Sequence, residues 1–364
     1  MRSFFEYLGI ADMERIHSQM IAWILSSDFQ SVNQEIKNKL LYDLFPSEET
    51  GEIFSVQTEV EQIDIQIETR NGVIIIENKF KSSQHSNQLE RYKISCDNRY
   101  KNRKIKYFYL TLIGEKSGNP SWINVSYEEI YNTFKQIMPA LDNSNSSAIY
   151  NEYMIYLGRL IDVINDFKKH PMNYGNVFIN GGKSKINKSA INLPNENERF
   201  IASNQLETIL QKYYLNVLSN EVSRFKGNVT ETRGDALIDF QLQNNIIFKG
   251  KHYATMIQLQ KFTLKFAIVI QDNYNVSKSK WVEDLIPFMR EISITNKYGF
   301  TRLNKPKSKA YISISKQLMS HYWLQDIKEL AKSIDLEIDN GLKMTQDLIG
   351  KIQKELPLTP AKPQ

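Results

Sequence analysis

Asp64, Glu77 and Lys79 are the residues of this chain whose types and spacing bear most directly on chemistry. Asp64 lies in Ile63-Asp64-Ile65 and the other two in Ile76-Glu77-Asn78-Lys79, with Asn71-Gly72 between the two segments. Two carboxylates held close together can chelate one divalent cation. A lysine beside them can orient a water or steady an anion, and the three together are what metal-assisted phosphodiester cleavage requires.

The elements that must position these groups can be read from pattern. Ile63 to Glu68 alternates apolar and polar, Val73 to Ile76 is β-branched, and Asn71-Gly72 favours a two-residue type I′ loop, so the segment predicts a hairpin. With Asn71 and Gly72 as the loop, Arg70 falls opposite Val73, Gln66 opposite Glu77 and Asp64 opposite Lys79. Side chains alternate across a strand, which puts Asp64, Gln66, Glu77 and Lys79 on one face and Ile63, Ile65, Ile67, Ile74, Ile76 and Phe80 on the other. Asp64 and Glu77 are then diagonal neighbours, roughly 7 Å apart at the backbone. The wet face of a half-buried hairpin carries the same residue types without any site. Val73 and Ile75 share that face, however, which implies that it is partly covered. Asn78 falls on the apolar face, where a buried amide needs partners. Glu59 and Glu61 are further acids just upstream that could replace or join Asp64.

Upstream, Asp12 is placed to cap a helix from about Met13 to Leu25, with Met13, Ile16, Met20, Trp23 and Ile24 as its apolar stripe. Glu14, His17 and Ser18 sit together off that stripe. Glu14 can stay in water there or swing toward the hairpin as a third ligand. Downstream, Lys79-Phe80-Lys81 leads through Ser82, Ser83 and Ser86 into a helical stretch with Gln88-Leu89-Glu90-Arg91-Tyr92, followed by Lys93, Arg99, Lys101, Arg103, Lys104 and Lys106. Only Glu90 and Asp97 oppose those cations within the stretch. Gln88 and Tyr92 are four apart and share a helix face. A basic run with tyrosines among its cations suits a phosphate backbone, which makes Lys81, Arg91, Tyr92, Lys93 and Arg99 candidate nucleic-acid contacts. A solvated helix face is the plainer reading of the same run.

Taken in order, Glu14-Arg15-Ile16-His17-Ser18 with Ile21-Ala22-Trp23-Ile24-Leu25, then Ile63-Asp64-Ile65, Glu77-Asn78-Lys79, and Gln88-Leu89 with Tyr92, the chain resembles the PD-(D/E)xK nuclease superfamily over about residues 1 to 135. More narrowly it is similar to a bacterial branch with a Glu-x-x-His-Ser helix, an Ile-Asp strand, a Glu-Asn-Lys strand and a Gln-Leu-x-x-Tyr helix. The resemblance implies an α/β fold with a restriction-endonuclease-like αβββαβ core and a mixed sheet. It implies that Asp64 and Glu77 ligate Mg²⁺ or Mn²⁺, that Glu14 is an auxiliary acid, that Lys79 orients or activates the water, and that Gln88 supports the site. Ile63 stands where the family's name has proline. The activity implied is that of a divalent-metal-dependent endonuclease, on DNA in preference to RNA, serving restriction or phage defence. A non-catalytic nucleic-acid-binding or regulatory protein on the same fold, or an RNA-directed nuclease, are the alternatives. Beside a bound cation, Lys79 is expected to meet like-charge repulsion and desolvation, both of which depress its pKa.

Global properties narrow the classes. At 364 residues and 41% hydrophobic the chain can bury one or two cores of ordinary size, and two domains is the natural expectation. A formal charge of +5 is mild, so nucleic-acid binding has to rest on a local patch. A single cysteine excludes an internal disulfide, and His17, His85, His170, His252 and His321 are too scattered for a zinc hydrolase. Ser3 and Glu6 suggest a capping box at a start without a signal-like apolar stretch, and apolar runs such as Phe266 to Ile270 are too short to span a bilayer. These features place the protein in the cytoplasm, with no membrane partner. Cutting both strands of a duplex favours a homodimer.

The organisation expected is a nuclease-like domain over 1–167, a linker or surface loop over 168–197, and an α+β domain over 198–364 for substrate recognition or dimerisation. Strands are expected at Tyr107 to Ile113, Ala236 to Gln243, Tyr253 to Gln260, Leu264 to Gln271 and Ala310 to Ser315. Helices are expected at Ser126 to Met138, Ile149 to Phe167, Glu198 to Ser223 and Trp281 to Ile292, with more to the end. Leu237-Ile238-Asp239-Phe240-Gln241 followed by Met256-Ile257-Gln258-Leu259-Gln260-Lys261 faintly echoes the Asp64 hairpin, either as a repeat without its acids or as chance alternation.

Overall fold

The protein is described from a computed structural model covering residues 3–11, 13–81, 87–179, 193, 195–232, 234–271, 284–295, 297–304, 311–318 and 322–355. Two units emerge, one of residues 1–169 with 190–210, the other of 170–189 with 211–364.

In the first unit, helices α1 (Phe4–Tyr7), α2 (Glu14–Leu25) and α3 (Gln34–Leu44) precede strands β1 (Ile53–Val60), β2 (Ile63–Thr69) and β3 (Val73–Lys79). Helix α4 (Gln88–Arg99) and strands β4 (Ile105–Thr111) and β5 (Trp122–Ser126) follow, then α5 (Tyr127–Lys135) and α6 (Asn145–Lys169). The sheet order is β1-β2-β3-β4-β5. The first three strands are antiparallel, whereas β3, β4 and β5 run parallel, so the sheet is mixed. This is the αβββαβ order expected from sequence, with α3 inserted and β5 added at the edge. The parallel step from β3 to β4 needs a crossover, and α4 supplies it.

Every residue of β3 is buried. On one face Val73 and Ile75 pack with Tyr107, Tyr109 and Trp122 beneath Leu89, Tyr92 and Cys96 of α4. The face bearing Glu77 is therefore covered, as Val73 and Ile75 implied. Ile63, assigned from alternation to the opposite face, joins this cluster as well.

The hairpin register differs from the expected one by two residues. Ile65 pairs with Ile76, Gln66 with Ile75 and Glu68 with Val73. Thr69 N–H donates to Gly72 O at 2.9 Å, making Arg70-Asn71 the turn. Gly72 is required by space and not by a left-handed backbone: a Cβ there would lie 2.7 Å from Lys104 O and 2.9 Å from Glu49 Cβ. The tight turn with two positive φ values is the preceding one, Glu61-Gln62, at 49° and 71°.

Helix α2 also differs. It starts at Glu14 with no side-chain cap, and the expected cap, Asp12, lies outside the described residues. Its buried face consists of His17, Ser18, Met20, Ile21, Ala22, Ile24 and Leu25, while Met13 is 47% exposed. The stripe is rotated because polar His17 and Ser18 find partners inside the fold. The Ser3–Glu6 capping box is present, and a second one, Ser126 with Glu129, starts α5.

The segment 170–179 includes helix α7 (Gly175–Ile179), in which Val177 and Phe178 are buried. Two helices, α8 (Glu196–Ser203) and α9 (Glu207–Glu221), replace the single one expected, with Gln205 at φ 53° in the break. Although α8 was expected to open the second domain, it packs in the first unit: Phe200 meets the ring of Tyr156 and lies under the guanidinium of Arg159, both of α6.

The second unit is an antiparallel sheet of order β10-β11-β9-β8-β7-β6. Its strands are β6 (Asn228–Thr232), β7 (Asp235–Phe248), β8 (Lys251–Gln260), β9 (Thr263–Ile270), β10 (Arg302–Asn304) and β11 (Tyr311–Gln317). Helix α10 (Ile286–Thr295) and the long α11 (Ile327–Glu355) complete it. The expected helix start at Trp281 lies outside the described residues. This sheet lacks the parallel crossover of the first, so the two units do not repeat one topology.

Candidate active site

Continuing the β2–β3 register one step beyond Ile65 and Ile76 puts Asp64 opposite Glu77, not diagonal to it. The strands part at that point. Asp64 Oδ2 accepts the main-chain N–H of Asn78 at 2.7 Å, supplying the bond that the ladder no longer makes. Lys79 lies two residues beyond Glu77 on the same face, and its Nζ is 2.6 Å from Glu77 Oε1 in a buried ion pair. Glu14 arrives from the first turn of α2, and its Oε2 accepts the Phe80 N–H at 2.7 Å. The three sequence-predicted acids and the lysine therefore converge.

Behind them, Asn78 fastens three elements together. Its Nδ2 donates to Ser18 Oγ at 2.9 Å and to Glu14 O at 3.2 Å, and its Oδ1 accepts from Tyr127 Oη at 2.8 Å. The buried amide that the alternation pattern placed on an apolar face is thus satisfied. His17 stacks on Phe80 at 3.9 Å, with Nδ1 3.1 Å from Tyr153 Oη and Nε2 3.0 Å from Ala11 O. Burial pushes its pKa down to about 3, so it stays neutral and structural.

Electrostatics bind the acids and the lysine into one unit. Burial raises Glu77, and Asp64 adds to that rise against the pull of Lys79, leaving its pKa at about 8. Burial likewise raises Asp64 to about 6 against the Asn78 N–H and Lys79, with Glu14 and Glu59 reinforcing the rise. The facing acids act as a dyad that shares a proton near neutrality. For Lys79, burial pulls the pKa down, but Glu77, Glu14 and Asp64 together outweigh it and raise it. Three acids surround the ammonium here, whereas the depression expected from the sequence is for a lysine beside a bound cation.

These groups fit a hard divalent cation. Glu77 Oε2 is buried with no hydrogen-bond partner. Asp64 adds a second oxygen donor across the gap, and relief of carboxylate repulsion favours a positive charge between them. Among the described residues no group of three or more His, Cys, Asp or Glu forms a ready-made metal cage. Two carboxylates with water and phosphate suffice for Mg²⁺.

The other candidates separate by partner. Gln88 Nε2 donates to Tyr92 Oη at 2.8 Å, so its hydrogen bond runs along α4 and not to the acids. Tyr92 is 9% exposed in the core beneath α4. Its ring packs there with its hydroxyl held by Gln88 Nε2. Lys93 pairs with Asp97 at 2.5 Å. Arg99 pairs with Glu61 and donates to Gln66 Oε1 at 3.2 Å, which also removes Glu61 as a substitute for Asp64. Arg103 pairs with Glu68 at 2.6 Å and Lys104 with Glu48 at 3.3 Å. The basic run is thus balanced by acids distant in sequence, not only by Glu90 and Asp97. Arg91 is exposed, and Lys81, half-buried, donates to Asn204 O at 3.4 Å. Ser82, Ser83, His85 and Ser86 lie outside the described residues. The roles of Asn78, Tyr127 and Tyr153 escaped the sequence reading, and the unplaced amide at Asn78 was the one available signal.

The family model of the PD-(D/E)XK nuclease superfamily matches residues 2–155. Over those residues the chain is similar to the PD-(D/E)XK nuclease superfamily. The mixed sheet with its flanking helices agrees with the restriction-endonuclease-like fold of that superfamily. That similarity supports a nuclease-type function, and nucleases of this superfamily typically use divalent metals. Neither the curated proteins nor the solved structures gave a match to the chain. No helix among the described residues is long and apolar enough to cross a membrane.

Proposed function

We propose that the PD-(D/E)XK domain is a Mg²⁺- or Mn²⁺-dependent endonuclease that hydrolyses phosphodiester bonds of DNA, in the setting of restriction or phage defence. The observation that carries the reading is the parting of β2 and β3 at Asp64 and Glu77, with Lys79 paired to Glu77 at 2.6 Å.

Asp64 and Glu77 would hold the cation, with Glu14 as the auxiliary acid. When bound, such an ion lowers the pKa of a coordinated water and offsets phosphate charge. Lys79 keeps its proton among Glu77, Glu14 and Asp64 and offers a positive hydrogen-bond donor to an equatorial phosphate oxygen, where charge accumulates as the bond to the leaving oxygen breaks. Asn78, tied to Ser18, Glu14 and Tyr127, fixes the strand from which Glu77 and Lys79 project. The second unit selects the substrate or pairs two copies, and a double-strand cut takes two such sites.

The test is a cleavage panel of double-stranded DNA, single-stranded DNA and RNA with Mg²⁺, Mn²⁺ or EDTA, run on wild type and Glu77→Ala. Metal-dependent cutting of DNA by wild type alone is expected. Wild type and variant behaving alike on every substrate would sink the reading, and cutting confined to RNA would replace the substrate.

A further inference from the structure

The second unit carries a pocket for which the Asp64 site has no use. One face of its sheet is covered by α11: a Cβ on Gly341 would lie 2.7 Å from Leu242 Cδ1 and 2.9 Å from Ile257 Cγ1, and Thr345 bonds Thr255 at 2.9 Å. The opposite face holds a cavity of about 510 Å³ lined by Leu237 and Asp239 of β7, Met256, Gln258 and Gln260 of β8, and Lys265 of β9. This size is ordinary for a small-ligand site.

Asp239, Gln258, Gln260 and Lys265 form one network in it, while a second acid of the lining, Asp235, pairs with Lys261 at 3.0 Å. Asp239 stands opposite Gln258, which stands opposite Lys265. Gln258 Nε2 donates to Asp239 Oδ1 at 2.8 Å, while Lys265 Nζ donates to Gln258 Oε1 at 2.9 Å and Gln260 Oε1 at 2.8 Å. Gln258 thereby braces Asp239 against Lys265. Asp239 Oδ2 is left to accept and Gln260 Nε2 to donate. Asp239 is partly withdrawn from water, and burial raises its pKa.

The sequence echo of the Asp64 hairpin acquires a physical meaning here. In the first unit Asp64 faces Glu77, with Lys79 two residues on; in the second Asp239 faces Gln258, with Gln260 two residues on. Where the first unit has its second acid this one has an amide, and Lys265 and Lys261 offset the carboxylates of Asp239 and Asp235. Such a pocket does not suit a dication. It suits a neutral planar group with a donor and an acceptor on one edge and apolar faces to lie against Leu237 and Met256. A nucleobase has that edge and those faces.

We propose that this pocket takes a single nucleobase, its edge read by the Asp239 carboxylate and the Gln260 amide. Preference for a nucleobase over other planar amides rests on the nuclease reading; the hydrogen-bond pattern does not. A base inside a duplex is stacked and cannot enter, so the ligand is an unpaired or extruded base.

The test uses the full chain with Glu77→Ala in EDTA, so that no cleavage is read. Fluorescence anisotropy compares a single-stranded DNA oligonucleotide with the same strand built of abasic sites, with inorganic phosphate as competitor. The intact strand is expected to bind at least about tenfold tighter, the scale of one good edge contact, and Asp239→Asn or Gln260→Leu should each erase most of that preference. Gln260 is half-buried, so its variant serves if Asp239→Asn does not fold. Equal binding of the two strands overturns the proposal, as does a preference untouched in folded variants. Phosphate abolishing the preference overturns it too, making Lys265 an anion site. Lack of nuclease activity would leave these outcomes readable.

Discussion

Asp64 reaches past the last backbone pair of β2 and β3 and takes the main-chain N–H of Asn78 at 2.7 Å. A side-chain oxygen there lets the strands part without leaving a buried donor bare. The same carboxylate therefore opens the site and furnishes it.

Asp64→Asn and Glu77→Gln should each cut the single-turnover rate of metal-dependent cleavage by more than about 100-fold, since even residues behind metal ligands cost 10- to 100-fold. Lys79→Met should lower that rate while metal binding by calorimetry stays within about threefold, because an ammonium that acts on phosphate is not a ligand. Near-normal rates in either acid variant would remove that acid from the site.

The stability of the metal-free protein should fall as pH rises. Glu77 has its pKa raised to about 8 from 4.5, so between those values the folded state holds a proton that the unfolded chain has lost. Its contribution is complete below about pH 4.5 and gone above about pH 8. The slope from this group is at most about 1.4 kcal/mol per pH unit. Urea denaturation in EDTA across that range should show the decline, and Glu77→Gln should flatten it; an identical slope in the variant would count against a raised pKa.

Metal binding should expel that proton. Calorimetric titration with Mg²⁺ near pH 7, repeated in buffers of different ionisation enthalpy, should report release approaching one proton, because a carboxylate must be deprotonated to ligate. Affinity should climb with pH and level off above about 8. Affinity independent of pH would mean that the ion binds elsewhere.

Tyr127→Phe should cost about 1–3 kcal/mol by leaving Asn78 Oδ1 buried and unpaired. Asn78→Leu should cost more, because Ser18 Oγ, Glu14 O and Tyr127 Oη all lose their amide partner at once. Thermal melts of both variants check the order, and Tyr127→Phe at wild-type stability would show that the network is slack.

The sequence resolved some features of this fold and missed others for identifiable reasons. Alternation put Asp64, Glu77 and Lys79 on one face, and the register sets Asp64 opposite Glu77, but Ile63, assigned to the other face, joins the cluster under α4. Register depends on the turn, and Asn71-Gly72 misled because Gly72 answers to the nearby Lys104 carbonyl and Glu49 side chain, not to its own φ. The β2–β3 strands turn one residue earlier, at Arg70-Asn71, and the β1–β2 turn with two positive φ values, Glu61-Gln62, has neither Asn nor Gly to announce it. Helix α2 was rotated in the reading because Tyr153 and Asn78, remote in sequence, make His17 and Ser18 welcome inside. The basic run looked unopposed for the same reason: Glu48, Glu61 and Glu68 reach it only through the fold.

Asn78 and His17 lean on Tyr127 and Tyr153, which the ribosome adds well after the acids and the lysine. A nascent chain that has just exposed Asp64, Glu77 and Lys79 still lacks the backing that holds them in place. On the proposed reading, the capacity to cut would be withheld until α6 has been made, and a chain truncated before that helix should be harmless to the nucleic acid around it.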